Sequence, residues 1–187
     1  CEPDKDKSYI FPPTYGMYEV SAKINNIETV KINLKPDFQL PDKSDFIEKI
    51  DSAGLLFICS PNNPTGNTYS LKSIKEMASA FSGIVIVDEA YIDFSSSMSA
   101  ISLLNETPNL VVLNTLSKAY GLAGLRLGMA FASKEIIAII NKIKPPYNIN
   151  SLSQIEGLKA LKNNEVFLEQ INLLKLERDL LIEALSA

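Results

Sequence analysis

Ile84-Val85-Ile86-Val87-Asp88-Glu89-Ala90-Tyr91 runs four β-branched residues straight into two acids and a phenol. A strand-length apolar run without alternation is what a central strand of a parallel sheet requires, buried on both faces. Upstream, Ser70 sits in an N-cap position before Ile74, Met77, Ala78 and Phe81, which recur at 3–4 spacing, and Gly83 closes that helix. Leu55–Cys59 precedes it as another continuous apolar strand. Leu110–Leu113 and Leu127–Ala132 follow as two more. Strands alternating with helices predict an α/β layered domain with a mostly parallel sheet.

The pattern extends both ways. Ser8–Phe11 predicts a short strand ended by Pro12-Pro13, Tyr15–Lys23 a helix, and Glu28–Leu34 an alternating strand. Ser44 is placed to cap a helix carrying Phe46, Ile47, Ile50 and Ala53 on one face. Toward the other end, Ser133 precedes a helix over Glu135–Ile143 that Pro145-Pro146 stops. Ser151–Leu161 reads as helical. Glu165–Leu185 reads as a longer helix with Phe167, Ile171, Leu174, Leu181 and Leu185 on one side, facing a core or linking to another domain.

At 187 residues, 46% apolar and 21% charged, the chain is sized and composed for one globular domain. Its net charge of −4, with no basic stripe, argues against nucleic acid. Its apolar runs are strand-sized, which argues against a membrane span. The absence of histidine removes His-based triads and His metal ligands. Two cysteines, Cys1 and Cys59, are too few for a zinc cluster or a disulfide scaffold. The chain begins at Cys1 with no signal-peptide pattern. Both ends are expected to have been cut from a longer polypeptide, and the expected compartment is cytoplasmic.

Ligands of open α/β sheets sit beyond the carboxyl ends of the strands. Three such ends are rich in polar chemistry: Ser60-Pro61-Asn62-Asn63-Pro64-Thr65-Gly66, Asp88-Glu89-Ala90-Tyr91 and Asn114-Thr115-Leu116-Ser117-Lys118. Asp88 at the end of an apolar strand needs a cation or a donor. A protonated heteroaromatic nitrogen would serve, and so would an N-cap or a structural ion pair. Lys118 precedes a loop with Gly121, Gly124 and Gly128, where backbone approaches a ligand easily. It is either a Schiff-base amine or a surface lysine. The loop lacks the G-x-x-x-x-G-K-[ST] and G-x-G-x-x-G patterns, yet Thr115, Ser117 and Arg126 could hold a phosphate. Asn62 to Gly66 reads as a rigid turn, and Tyr15 and Tyr18 as core aromatics unless a cofactor ring lies against them.

Together, Pro13-Thr14-Tyr15-Gly16-Met17-Tyr18, Ser60–Gly66, Val87–Tyr91 and Thr115–Arg126 resemble, in order, motifs of the large domain of fold-type I enzymes that use pyridoxal 5'-phosphate, the aspartate aminotransferase superfamily. The first run points to the histidinol-phosphate aminotransferase branch. The resemblance implies a three-layer α/β/α fold. Residues 1–163 form a cofactor-binding large domain lacking its N-terminal part, and residues 164–187 a helix leading toward an absent small domain. It implies that Lys118 forms a Schiff base with the cofactor and shuttles a proton. Asp88 pairs with the pyridinium nitrogen, Asn63 and Tyr91 bond the ring oxygen, Tyr15 stacks, and Thr115, Ser117 and Arg126 bind phosphate. Lys118, Asp88 and Tyr91 are thus the catalytic expectation. No metal is expected.

The implied reaction is amino transfer between histidinol phosphate and 2-oxoglutarate by a homodimer, with this fragment inactive alone. The substrate class is a small amino acid or amino-alcohol phosphate. An aromatic aminotransferase and a threonine-phosphate decarboxylase share the same motifs and stand as alternatives; a non-catalytic module keeping the fold is a further one, against which the retained Lys118 and Asp88 argue. The resemblance also implies that Leu127–Ala132 runs antiparallel and lies at an open edge.

Overall fold

The computed structural model describes residues 1–186. Six strands form one sheet in the order β2-β1-β3-β4-β5-β6: β1 (Lys7–Ile10), β2 (Glu28–Lys31), β3 (Gly54–Cys59), β4 (Ile84–Asp88), β5 (Leu110–Thr115) and β6 (Gly128–Ala132). All neighbours are parallel except β5 and β6, which pair antiparallel, so β6 forms an open edge as expected. The chain lays down β1 and β2, then returns to the other side of β1 to build β3, β4 and β5 in turn. That reversal opens a crevice beyond the carboxyl ends of the strands.

One sheet face is packed tightly. Tyr9, Leu56, Ile58, Val85, Val87, Leu110 and Val112 meet Phe46 of α2 (Lys43–Ile47) and Ile74, Met77 and Ala78 of α3 (Leu71–Ala80). Ser70 caps α3 by accepting the Ser73 N–H. On the opposite face α1 (Met17–Ile24) lays Tyr18 against Phe57, beside Ile10 and Cys59. This second cover is short, so Ile84 and Ile86 are half-buried, where the sequence predicts a strand buried on both sides. The Gly83 expectation also changes. α3 already ends at Ala80, with Phe81 extended. Gly83 instead lets β3 and β4 begin close together: a Cβ there would lie 2.4 Å from the Gly54 carbonyl oxygen. The helix predicted behind Ser44 begins at Lys43, one residue before that serine, with no side-chain capping bond from Asp42, and stops at Ile47.

Three helices follow β6. α4 (Lys134–Ile143) begins at the Ser133 cap. α5 (Ser151–Lys162) buries Ser153, Gly157 and Ala160. Small side chains at this helical spacing let its backbone approach the preceding loop, where the Ser153 hydroxyl donates to the Leu125 carbonyl at 2.8 Å. α6 (Asn164–Ser186) departs from the core-facing reading. Of its predicted stripe Ile171 is buried, whereas Leu174, Leu181 and Leu185 are exposed. Among the described residues no helix is long and apolar enough to cross a membrane, and no acidic, cysteine or histidine cluster is arranged to hold a metal.

Candidate active site

Strand register decides which side chains meet. Cys59 of β3 pairs with Asp88 of β4, and Asp88 with Leu113 of β5, so the three strand ends form one row. Side chains in such a row point to the same face. Asp88 therefore shares the α1 face with Cys59, and the loops after the strands close over it.

Each loop is held by its own polar contacts. After β3, the buried Asn62 amide donates to the Pro13 carbonyl at 2.9 Å and to Thr65 Oγ1 at 2.7 Å, and its oxygen accepts from the Thr14 hydroxyl at 3.0 Å. One side chain thus ties the β1–α1 loop to the turn after β3 and leaves Asn63 turned toward the cavity. After β5, Thr115 Oγ1 accepts the Ser117 N–H at 3.0 Å, and the two hydroxyl oxygens are 2.9 Å apart. The loop then folds back: Gly121 N–H donates to Lys118 O and Leu122 N–H to Leu116 O. Gly121 has φ +63° and Arg126 φ +53°. For arginine that conformation costs on the order of 1 kcal/mol, strain of the kind that gathers at binding sites.

Tyr15, Asn63, Asp88, Tyr91, Thr115, Ser117, Lys118 and Arg126 all line one cavity of about 320 Å³. The structure therefore brings together every site residue named from the sequence. Lys118 Nζ lies 5.3 Å from the centre of the Tyr91 ring, within cation–π range. Arg126 Nη1 donates to Ala123 O at 3.1 Å, which orients the guanidinium and leaves its other donors for a ligand. Asp88 Oδ1 accepts the Ala90 N–H at 3.1 Å. A larger depression of about 820 Å³ shares Asn63 and Tyr91 with this cavity but lacks the acid and the amine. The smaller space is the one that gathers the acid of Asp88, the amine of Lys118 and the guanidinium of Arg126.

Sequence reasoning missed three neighbours. Cys59 and Asn114 also line the cavity. Burial pushes the Cys59 thiol up, with the Asp88 charge adding to it, so it stays a neutral thiol. Tyr18, read from the sequence as core, is buried but donates its hydroxyl to Asp88 Oδ2 at 2.7 Å. Its spacing of three from Tyr15 at a helix start was the available signal. Glu89 points the other way, into the tightly packed core face, 2% exposed. Its carboxylate accepts from the Ser99 hydroxyl and the Ala100 N–H, both at 2.6 Å, and burial raises its pKa.

Residues 1–187 match the family model for aminotransferase class I and II. A histidinol-phosphate aminotransferase from Cytophaga hutchinsonii is 52% identical over 186 residues, covering 100% of this chain and 53% of the relative. One from Christiangramia forsetii is 49% identical, covering 99% of this chain and 53% of that relative. Among solved structures, the histidinol-phosphate aminotransferase from Clostridium acetobutylicum superposes with a TM-score of 0.85 at 29% identity, over 97% of this chain and 56% of that one. The chain spans about half the length of the curated relatives it matches.

Proposed function

The chain belongs to the class I and II aminotransferases, and on that premise we propose that its parent polypeptide moves amino groups with pyridoxal 5'-phosphate held in the 320 Å³ cavity. The observation that carries this is the donor set: one amine, one carboxylate, one guanidinium, two hydroxyls and an aromatic face around a single space. These suit a flat, protonatable ring bearing a carbonyl and a phosphate.

In this reading each residue has a defined task. Asp88 receives the protonated ring nitrogen and keeps its proton in place. Tyr15, 44% exposed and lining the cavity, offers its ring for stacking. Asn63 and Tyr91 donate to the ring oxygen. Thr115, Ser117 and Arg126 hold the phosphate through hydroxyl and guanidinium hydrogen bonds. Lys118 Nζ anchors the cofactor, then takes and returns the proton of the substrate α-carbon. When bound, the cofactor supplies the electron sink that makes removal of that proton feasible.

The names of the relatives direct the proposal to histidinol phosphate as amino donor, with 2-oxoglutarate and glutamate as the other pair. The adjoining depression, sharing Asn63 and Tyr91, gives the substrate its approach. The remaining half of the parent polypeptide completes the site, so the 187-residue chain alone is inactive. The parent works as a cytoplasmic homodimer. Borohydride reduction of the complete polypeptide with pyridoxal phosphate, followed by peptide mass spectrometry, tests the assignment. A reduced adduct on Lys118, lost in Lys118→Ala, is expected. Wild type without that adduct, or an unchanged cofactor absorbance band in Lys118→Ala, would refute it.

A further inference from the structure

Tyr18 touches both the acid Asp88 and the ring of Tyr15. Its hydroxyl donates to Asp88 Oδ2 at 2.7 Å, while Ala90 N–H takes Oδ1 at 3.1 Å. Both carboxylate oxygens are thereby tied, which stops the group from rotating. Each oxygen still has a second acceptor position, so capacity remains for a cationic donor in the cavity. The Tyr18 ring stacks on Phe57 at 4.6 Å and 13°, and the Tyr15 ring stands edge-on to it at 5.5 Å and 83°. The acid and the stacking ring are therefore registered to each other through one buried phenol at the start of α1.

That phenol keeps its proton. Burial and the facing Asp88 carboxylate push its pKa far above the ordinary tyrosine value, and its other polar neighbour, Cys59, is a protonated thiol. A group that is a donor at every working pH suits a fixed clamp.

We propose that Tyr18 is a positioning residue of the cofactor site, whose hydroxyl fixes the orientation of Asp88 and moderates its charge while its ring sets Tyr15. The inference rests on the cofactor reading above. Removing the hydroxyl frees one oxygen of the Asp88 carboxylate, whose charge then faces the ring nitrogen without that donor. Its added negative character then favours the protonated form of the bound cofactor. The other groups around the cavity that set this balance, Lys118, Arg126 and Tyr91, are unchanged by the substitution.

The test uses the complete polypeptide, with Tyr18→Phe, Phe57→Leu and Asp88→Ala compared with wild type. Pyridoxal phosphate affinity, the pH midpoint of the bound cofactor's absorbance change, and thermal stability are measured. Tyr18→Phe is expected to weaken affinity by up to about tenfold, the cost of ordering on binding a carboxylate that is no longer held in place, and to raise the midpoint. Phe57→Leu loosens packing on the same ring but keeps the hydroxyl, so it should lower stability and leave the midpoint in place. If Tyr18→Phe changes stability alone while Asp88→Ala alters affinity and midpoint, Tyr18 is merely structural and the proposal is overturned, with the cofactor reading intact. If Asp88→Ala also changes neither, both fail together. Should Tyr18→Phe not fold, 3-fluorotyrosine at position 18, a stronger donor of nearly equal size, should lower the midpoint. No shift there would also overturn the proposal.

Discussion

Glu89→Ala should be among the most damaging substitutions outside the cavity, and the structure gives its size. Glu89 follows Asp88 directly but lies on the opposite face of the sheet, 2% exposed. Its oxygens accept from the Ser99 hydroxyl and the Ala100 N–H at 2.6 Å, at the start of the 3-10 turn Ala100–Leu103. Alanine would strand the buried Ala100 N–H, at about 1–3 kcal/mol, and leave a small void worth about another 1 kcal/mol. A loss near 3 kcal/mol follows, which is large against a total of about 5–15 kcal/mol. In urea it should lower the midpoint by roughly 1–2 M. Glu89→Gln keeps an acceptor for Ala100, and its amide can donate to the Ser99 hydroxyl, so it should stay within about 1 kcal/mol of wild type. The pH dependence has a definite sign. Burial raises the folded pKa of Glu89 above its ordinary 4.5, so the folded state binds more protons than the unfolded one in that window. Its favourable contribution is complete below 4.5 and fades as pH rises through the raised value. Wild type minus Glu89→Gln stability should therefore decline from acid toward neutral pH. A flat difference, or a Glu89→Ala loss below about 0.5 kcal/mol, would refute the reasoning.

Two further outcomes follow from the sheet. Gly83→Ala places a Cβ 2.4 Å from the Gly54 carbonyl oxygen and 2.7 Å from the Gly54 nitrogen. Separating those backbones should cost about 2–3 kcal/mol in urea unfolding, and an unchanged midpoint would contradict the close approach. Ala130 is exposed on the open edge strand β6, so the 187-residue chain should self-associate in sedimentation, and Ala130→Lys should reduce that association. A wild-type chain that sediments as a monomer at all concentrations would show the edge to be harmless.

The sequence made strands and site loops legible where chemistry changes abruptly. Ile84–Val87 ending in Asp88, and Leu110–Leu113 leading to Thr115, Ser117 and Lys118, needed no structure to be placed at strand ends. Those same two segments supply six of the eight cavity residues named from the sequence, while Asn63 comes from the turn after β3 and Tyr15 from the segment before α1. What stayed hidden depends on partners distant in the chain. Tyr18 looks like any core aromatic until the fold brings Asp88 to its hydroxyl. Gly83 looks like a helix stop, because nothing local reveals that Gly54 will lie against it. The stripe on α6 shows that an apolar face exists, but periodicity cannot say what covers it. Here Ile171 is covered by this chain and Leu181 is not.

Asp88 and Glu89 show why register matters more to this site than composition. The two acids are adjacent and chemically alike, yet the two-residue period of a strand sends one to the cavity and the other to the core. A slip of one residue in β4 would exchange them and place the longer carboxylate before Lys118. Two anchors oppose that slip from opposite faces. Ser99 and Ala100 hold Glu89 on the packed side, and Tyr18 holds Asp88 on the cavity side. Each anchor fits one carboxylate only in the observed register, since the other acid would then point away from it. The pairing of Cys59, Asp88 and Leu113 in one row is thus reinforced by side chains as well as by the backbone ladder. The distance between the acid and the lysine loop is set by that row. A site built this way places its acid through the sheet rather than through the loop that carries its amine, so loosening the Tyr18 anchor should disturb the cavity, whereas loosening the Glu89 anchor costs stability first.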